Sequence, residues 1–393
     1  MKIAILTSGI LPIPAVQGGA VENLVDFYLA YNEQKKLHDI TIYSVANSKT
    51  QNHPALLSDV NHYYYINTSS IKAKIRRFLY KLSHKNDYYN YFIEYYFEQA
   101  CKHIEQQSYD SIIMENRPGY AYKLSKRTQS KLVLHLHNDL LNEYSKHHTE
   151  IFNSLYKIIT VSEYIKSKVC TIQDSHKVQT IHNGIDLKSF TIHPLSNISR
   201  QNIGLSENDF ILVYSGRINK DKGVTQLIDA MLHITNITNI KLLILGSSFF
   251  DNAKKDNEFI ISLKSKSLEI ADRIKFTGFI PYAQVPDYLK LADIAVLPSM
   301  WDEPFGLTIA EAQAVGLPII TTNCGGIPEV ASDKNAIMLN NKDHFIENLA
   351  NAILDLYQHP EKRKAMSQAS IERSKLFDKD RYAKEFFEAI ETI

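Results

Sequence analysis

The sequence has few cysteines, almost no net charge and no long apolar run, and each absence excludes a class of protein. Cys101, Cys170 and Cys324 lie far apart and form no CxxC pair, which argues against a zinc site or a disulfide framework and suits a reducing cytoplasm. A formal net charge of +1 provides no general attraction to nucleic acid. Nowhere do 18 consecutive apolar residues occur, so we expect no bilayer-spanning helix.

The beginning of the chain does not resemble a secretory leader. Its apolar run from Ile3 to Leu6 is short and is interrupted by Thr7 and Ser8, which is typical of a strand. We therefore expect a cytoplasmic protein, at most attached to the inner face of the plasma membrane.

What the chain does contain is a regular alternation of short apolar runs with helix-length segments. Over 393 residues this alternation predicts an α/β protein with two Rossmann-like, doubly wound domains. The predicted strands are 2–6, 40–44, 111–114, 132–137, 158–160 and 178–181, then 211–214, 241–245, 274–276, 294–297 and 318–321.

The domain boundary is predicted in a polar segment, 186–207, which is rich in Ser, Asn and His. We expect one domain over 1–190, a second over 206–375, and a last helix, 376–393, that crosses back to the first domain. Ligands of open parallel sheets bind beyond the carboxyl ends of the strands. We therefore expect a site where the two domains face each other across a central cleft.

Two cations follow the first strand of the second domain. Arg217 and Lys222 lie in one glycine-flanked loop, where an arginine fork and a lysine point charge can neutralise a pyrophosphate. The simpler alternative is a solvated turn with routine charges.

Two carboxylates, Glu303 and Glu311, flank a predicted helix start. The amides of Phe305, Gly306, Leu307 and Thr308 point out of such a helix end toward an anion. Carboxylates accept hydrogen bonds from sugar hydroxyls, so the segment suits a ligand with hydroxyls on both sides of a phosphate. A simpler role for Glu303 is stabilisation of the helix dipole.

Three weaker signals accompany these segments. Gly325-Gly326 allows a tight turn or a close backbone approach. Gly18-Gly19 opens a helix and can hold phosphate, but it lacks the full GxGxxG fingerprint of a nicotinamide site. His137 ends a predicted strand, where a histidine is either structural or functional.

Together these segments resemble the family 4 retaining glycosyltransferases of the GT-B fold, of bacterial type. The resemblance covers nearly the whole chain and is looser between 45 and 130. The motifs that carry it are Glu303-x7-Glu311 with its Pro-Phe-Gly-Leu-Thr core, Gly316-Leu-Pro, Gly325-Gly-Ile-Pro-Glu, Gly216-Arg217…Lys222-Gly223, His182-Asn-Gly-Ile-Asp186, Phe276-Thr-Gly-Phe-Ile280 and Gly18-Gly19.

The resemblance implies a role for each of these positions. Glu311 would bind the nucleotide ribose and Glu303 a hydroxyl of the donor sugar, while Arg217 and Lys222, with the amides of 305–308, would hold the diphosphate. The backbone at Phe279 and Ile280 would meet the base. Gly18 and Gly19 would close over the phosphates or the acceptor, and His137 would contact the donor sugar near the reacting carbon.

The implied activity is the retaining transfer of a hexosyl unit from a nucleotide sugar, with uridine the usual base. No metal and no other cofactor is expected, because the two cations and the helix end stabilise the leaving group. The first domain would bind a glycan or polyprenyl-linked glycan acceptor, in the synthesis of a surface polysaccharide. Glu303 would bind substrate and would not act as a nucleophile.

A basic amphipathic helix is predicted at 71–85. It carries six Lys/Arg and no acid, and Ile71, Ile75, Phe78, Leu79 and Leu82 fall on one face. Aromatic residues follow at 88, 89, 91, 92 and 95–97. Such a helix suits an anionic membrane surface. The alternative is that its apolar stripe packs on the domain.

Two other functions remain open. A sugar-nucleotide epimerase would convert its substrate without an acceptor, and a non-catalytic subunit would bind a nucleotide sugar without turnover.

Overall fold

The chain divides into two compact units in the computed structural model, which describes residues 1–83, 91–191, 198–247 and 258–392. Unit 1 comprises Met1–Gly184 together with Lys379–Ile393, and unit 2 comprises Ile185–Asp378. The division thus falls just ahead of the segment that the sequence indicates as a linker.

Unit 1 is built on a parallel sheet. The strands are β1 (Lys2–Leu6), β2 (Asp39–Val45), β3 (Asn61–Ile66), β4 (Ser111–Glu115), β5 (Lys131–Leu136), β6 (Lys157–Thr160) and β7 (Val178–Thr180). The helices among them are α1 (Ala20–Lys35), α2 (Ile71–Ser83), α3 (Tyr91–Ile104), α4 (Pro118–Leu124), α5 (His148–Ser154) and α6 (Glu163–Cys170). The strand order is β3-β2-β1-β4-β5-β6-β7, so the chain changes direction across the sheet between β1 and β4.

Unit 2 repeats this plan. Its strands are β8 (Phe210–Ser215), β9 (Ile240–Leu245), β10 (Ile274–Gly278), β11 (Ile294–Leu297), β12 (Ile319–Thr322) and β13 (Ala336–Leu339). Its helices are α7 (Leu187–Thr191), α8 (Val224–His233), α9 (Glu258–Lys266), α10 (Val285–Leu289), α11 (Leu307–Ala314), α12 (Ile327–Val330), α13 (Phe345–Gln358) and α14 (Pro360–Ser374). The parallel order β10-β9-β8-β11-β12-β13 places the change of direction between β8 and β11.

The last helix, α15 (Lys379–Glu391), belongs to unit 1. It packs on α1 through aromatic side chains: the rings of Tyr28 and Phe386 stack with centroids 4.3 Å apart, and Phe387 meets Tyr28 edge-on at 6.0 Å. Because all three side chains are almost completely buried, removing the helix would expose a large apolar surface on α1.

The predicted α/β class with two doubly wound parallel sheets is confirmed, and all eleven predicted strands are present. Two strands were missed, β3 and β13, and both lie at the edge of a sheet. Strand β3, with the sequence NHYYYI, lacks the continuous apolar run of a central parallel strand. Strand β13, AIML, is apolar but only four residues long, and three of these are half-buried. No helix within the described ranges has the length and apolar character needed to span a bilayer.

Helix α2 exposes its apolar stripe to solvent. Its small and arginine-bearing face lies on unit 1: Ala73 is fully buried, and Arg76 pairs at 2.8 Å with the buried Glu94 of α3. The side chains of the apolar stripe are between 56% and 77% exposed, namely Ile71, Ile75, Phe78, Leu79 and Leu82. The alternative that this stripe packs on the domain is therefore wrong. Residues 84–90 lie outside the described part of the chain.

Candidate active site

The loop after β8 is held by its own side chains. The Tyr214 hydroxyl donates to the Arg217 carbonyl oxygen at 2.8 Å, and the Asn219 side chain accepts a hydrogen bond from the Lys222 amide at 3.2 Å. Burial raises the pKa of Tyr214, with Glu303 adding to the rise and Arg217 opposing it. The Arg217 side chain is exposed to solvent. The loop therefore presents both predicted cations at the carboxyl end of β8.

A glycine joins this loop to the one that follows β11. Gly223 has φ 72°, and a Cβ there would lie 1.8 Å from the Pro298 carbonyl oxygen. The two loops consequently touch backbone to backbone. Since β8 and β11 flank the change of direction in the unit 2 sheet, this contact lies where doubly wound sheets bind their ligands.

Lys222 and Glu303 form an ion pair at this point. Lys222 Nζ lies 2.5 Å from Glu303 Oε1, and Ser299 Oγ donates to the same oxygen at 2.8 Å. The ammonium group also lies 5.4 Å from the centre of the Trp301 ring. The pair is only partly exposed, so water screens it weakly. A lysine, a carboxylate and a hydroxyl thus converge beside the helix that follows.

The Gly325-Gly326 turn positions Glu303. The Gly326 amide donates to the Glu303 carbonyl oxygen at 2.7 Å, and a Cβ at Gly325 would lie 2.4 Å from that oxygen. On the same side, Thr322 Oγ1 donates to the Ser299 carbonyl oxygen at 2.7 Å. Of the two interpretations that the sequence allows for this glycine pair, the structure shows the close approach of two backbones.

Helix α11 begins beside Glu303. Gly306 is its N-cap, and among the described residues the amides of Gly306, Leu307 and Thr308 donate no hydrogen bond. Phe305 is buried against Phe377, with ring centroids 5.5 Å apart, and this contact anchors the loop. Free amides at a helix start attract anions.

The second carboxylate lies inside this helix. Glu311 is 8% exposed, and burial raises its pKa to about 8, against which a hydrogen bond from the Tyr282 hydroxyl acts. Phe279 and Ile280, half-buried, leave the carboxyl end of β10 just before Tyr282. The Tyr282 bond therefore links the loop predicted to meet the base with the carboxylate predicted to bind ribose.

In unit 1, Gly18 and Gly19 have φ 77° and 110° and lead into α1. The buried Glu22 turns its carboxylate back toward this helix start, where it accepts hydrogen bonds from its own amide and from Ser8 Oγ at 3.4 Å. Burial raises the pKa of this carboxyl group, and the two hydrogen bonds oppose the rise.

His137 directly follows β5 and forms a buried cluster with the end of β4. Its Nε2 lies 2.9 Å from Glu115 Oε2, and His135 Nδ1 lies 3.1 Å from the same oxygen. Tyr28 donates its hydroxyl to Glu115 Oε1 at 2.9 Å. The two histidines hold the pKa of Glu115 below its ordinary value, although burial alone would raise it.

Within the described part of the chain, this cluster is the group of side chains that could hold a metal ion. One ligand atom each from Glu115, His135 and His137 lies within 4.8 Å of the others. The distances from both ring nitrogens to the carboxylate are hydrogen-bond distances, however, and Tyr28 supplies a third donor. Hydrogen bonding alone accounts for the cluster.

Comparison with known proteins gives the activity. Residues 196–373 match the family described as glycosyl transferases group 1. All of the chain aligns, at 27% identity, with 89% of YtcC of Bacillus subtilis (strain 168), to which glycosyltransferase activity is ascribed. Lipopolysaccharide 1,2-N-acetylglucosaminetransferase of Salmonella typhimurium (strain LT2) is 25% identical over 66% of this chain and 68% of its own. The structure of Anabaena Alr3699/HepE in complex with UDP and glucose has a TM-score of 0.75 at 20% identity, with 100% of both chains covered. The chain is a glycosyltransferase with the GT-B fold.

The family match covers the predicted donor side of this glycosyltransferase. Every predicted site residue of unit 2 falls within 196–373, whereas Gly18, Gly19 and His137 lie outside it. Unit 2 brings Lys222 and Glu303 into contact, and the α11 amides follow Glu303 directly along the chain.

Three polar residues that contact predicted site residues of the glycosyltransferase were not predicted from the sequence. Glu115, Tyr282 and Ser299 each bond to a predicted residue. Of these three, Glu115 could have been recognised in the sequence, because it is a carboxylate at the end of a predicted strand. The other two are ordinary loop residues whose role depends on the folded contacts.

Proposed function

We propose that this glycosyltransferase belongs to the family 4 retaining enzymes and transfers a hexosyl unit from an NDP-sugar, without a metal. The donor in this proposal is a UDP-sugar, and the acceptor is a glycan or a lipid-linked glycan of a surface polysaccharide. The observation that carries the proposal is the Lys222–Glu303–Ser299 array beside the start of α11.

The groups of this array and the helix start beside it differ in charge, and each suits a different part of a sugar nucleotide. Lys222 and the amides of Gly306, Leu307 and Thr308 are the electropositive groups, and they suit the diphosphate. Arg217, exposed on the same loop as Lys222, adds a second cation. These groups supply the positive charge that a departing nucleotide diphosphate requires.

The two carboxylates suit the hydroxyl-bearing ends of the donor. Glu303 lies before the helix and accepts hydrogen bonds from the sugar, while Glu311, buried within the helix, accepts them from the ribose. When a diphosphate binds Lys222, it competes for the ammonium that now pairs with Glu303 at 2.5 Å. Glu303 is then free to bind a sugar hydroxyl, which is the role of a binder and not of a nucleophile.

Retention in such a site follows from positioning. With the leaving group neutralised, the acceptor attacks the face from which the diphosphate departs, and a phosphate oxygen accepts its proton. Two finer features rest on similarity: uridine is supported by Anabaena Alr3699/HepE in complex with UDP, and a glycan acceptor by the lipopolysaccharide transferase.

The donor site is tested with a panel of NDP-sugars in EDTA, followed by mass spectrometry and by the fluorescence of Trp301, the single tryptophan. We expect turnover of one donor. Lys222→Ala should weaken its binding by about 10- to 100-fold, the value of a charged hydrogen bond. Glu303→Ala should abolish turnover. Lys220→Ala, an exposed lysine of the same turn, is the matched control and should change neither.

The outcomes separate this function from its rivals. Conversion of an NDP-sugar without an acceptor would indicate an epimerase. Binding without turnover across a broad set of acceptors would indicate a non-catalytic subunit. If no NDP-sugar binds the wild-type protein, the donor assignment is wrong.

We also propose that α2 attaches unit 1 to an anionic membrane. Its exposed apolar stripe would enter the headgroup region, and the exposed Lys72, Lys74 and Lys81 would contact anionic lipids, at about 1 kcal/mol per lysine. This arrangement would bring the enzyme to a lipid-linked acceptor.

Vesicle flotation tests the attachment. We expect binding to vesicles that contain phosphatidylglycerol and little binding to phosphatidylcholine alone. Phe78→Asp should reduce binding, whereas Leu57→Asp, at an 86% exposed apolar residue outside α2, should not. Equal binding to both vesicle types, or none, would refute the attachment.

A further inference from the structure

Trp301 lies beside the ion pair of Lys222 and Glu303 in unit 2. The residue is 36% exposed, and the Lys222 ammonium lies over its ring, 5.4 Å from the ring centre. The same ammonium contacts Glu303 Oε1 at 2.5 Å. The lysine therefore has two neighbours of different kinds, a carboxylate that neutralises its charge and an aromatic face that attracts a cation.

The backbone fixes the loop that carries this ring. The Met300 amide donates to the carbonyl oxygen of Asp221, the residue before Lys222, at 2.8 Å. The Met300 carbonyl oxygen in turn accepts a hydrogen bond from the Asn341 side chain at 3.4 Å. Because the residue before Trp301 is tied to the residue before Lys222, the ring and the ammonium group are held side by side.

Each member of the ion pair has a second partner in unit 2. Ser299 Oγ donates to Glu303 Oε1 at 2.8 Å, and the Trp301 ring lies beneath the Lys222 ammonium. An indole ring attracts an ammonium group over about 6 Å, so the paired ammonium lies near the outer end of this range. A lysine released from Glu303 can approach the ring more closely, where the attraction is stronger. The ring therefore stabilises the open pair more than the closed one.

We propose that Trp301 is a positioning residue for Lys222, whose ammonium its indole ring holds when a diphosphate breaks the pair with Glu303. The ring thereby lowers the free energy needed to open the pair. This role rests on the proposed function, in which Lys222 binds the diphosphate. Because the ring acts through the lysine, and not on the sugar or the base, UDP and a UDP-sugar should depend on Trp301 to the same degree.

Calorimetric titration with UDP and with UDP-glucose tests this role. Trp301→Leu should weaken the binding of both ligands by about two- to fivefold, the value of a partly exposed contact between a cation and a ring. Trp301→Phe keeps an aromatic ring and should weaken binding less. Lys264→Met is the matched control, because Lys264 Nζ lies 5.5 Å from the centre of the Phe276 ring in the same unit. Its loss should leave both affinities unchanged.

A double-mutant cycle separates this role from a direct contact with the ligand. In the Lys222→Ala background, Trp301→Leu should cause no further loss of UDP affinity, because the ring then has no ammonium to hold. An equal loss with and without Lys222 would show that the ring stacks on the ligand or merely supports the loop, and would overturn the proposal. A loss confined to UDP-glucose, or unchanged affinity for both ligands in Trp301→Leu, would also overturn it.

The approach of the lysine to the ring can be followed without a nucleotide. In protein with ¹³C-labelled lysine, the ε-methylene proton signal of Lys222, assigned by its loss in Lys222→Ala, should move upfield in Glu303→Ala. The released side chain then enters the shielded region above the indole ring. Adding Trp301→Leu should abolish this shift, and its absence in Glu303→Ala alone would refute the proposal. If wild-type protein binds neither UDP nor UDP-glucose, the proposed function fails, while this signal still decides whether the ring holds the lysine.

Discussion

Replacing Glu311 with glutamine should stabilise unit 2 at alkaline pH. The wild-type carboxyl group is 8% exposed, and burial raises its pKa from 4.5 to about 8. Ionising this carboxyl group in the folded protein therefore costs free energy, whereas ionising it in the unfolded chain does not. Glutamine has a similar shape, keeps an oxygen for the Tyr282 hydroxyl and never ionises.

The sign of the effect follows from the two pKa values. Below pH 4.5 the group is protonated in both states, so wild type and variant should be equally stable. Between pH 4.5 and about 8 the folded state keeps a proton that the unfolded state has released, and wild-type stability falls as pH rises. At about 1.4 kcal/mol per pKa unit, the difference reaches at most about 5 kcal/mol above pH 8. We expect the free energy of unfolding of Glu311→Gln to exceed that of the wild type by about 2 to 5 kcal/mol above pH 8.

The assay uses the single tryptophan of the chain. Trp301 lies in unit 2, so its fluorescence during urea unfolding reports on this unit. Unfolding of wild type and Glu311→Gln would be compared at pH 5, 7 and 9. Glu269→Gln, at an exposed glutamate of the same unit, controls for the loss of one negative charge.

Two results would refute the reasoning. If the variant and the wild type differ by the same free energy at pH 5 and pH 9, the carboxyl group does not titrate with a raised pKa. If the variant is less stable at pH 9, the carboxylate is stabilised by contacts that outweigh its burial.

Two further predictions concern packing. Gly223→Ala should lower the melting temperature and abolish nucleotide binding, because its Cβ would lie 1.8 Å from the Pro298 carbonyl oxygen. Gly204→Ala is the control: Gly204 has a similar φ of 74° and its nearest neighbour is 3.9 Å away, so this substitution should lower the free energy of unfolding by only about 1 kcal/mol. Equal losses of stability in the two variants would contradict the contact between the loops. Phe97→Ala, at a fully buried ring, should lower the free energy of unfolding by about 3 to 5 kcal/mol, as measured by chemical denaturation. Phe78→Ala, at a ring that is 62% exposed, should lower it by less than about 0.5 kcal/mol. A large loss of stability in Phe78→Ala would place the apolar stripe of α2 in the core.

The sequence predicts the central strands well because burial on both faces leaves a continuous apolar run. Strand β1 is recovered with its bounds, since Ile3, Ala4, Ile5 and Leu6 are all completely buried. Strand β3, with the sequence NHYYYI at an edge, mixes polar and half-buried aromatic residues and gives no such signal. Exposure at the edge is a property of the assembled sheet and is not encoded in a local window.

The same limit applies to the site. The sequence predicts site roles for Glu303 and Lys222 because charged residues and glycines cluster around them in short motifs. It misses the link from Glu115 to His137, because Glu115 ends β4 and His137 directly follows β5, the neighbouring strand, whose pairing aligns Glu115 with His135. A partner set by strand register can be located only once the sheet order is known.

The ion pair between Lys222 and Glu303 joins two segments that are separate in the sequence. Taken separately, a lysine after β8 fits a solvated turn and a glutamate before α11 fits a helix dipole. In the fold they neutralise each other, and the contact of Gly223 with Pro298 and of Gly325 with Glu303 leaves their loops little freedom to separate. A ligand must therefore offer both a negative group for Lys222 and hydroxyl donors for Glu303 to replace what the pair already provides. A simple phosphate meets only the first condition, whereas a sugar joined to a diphosphate meets both.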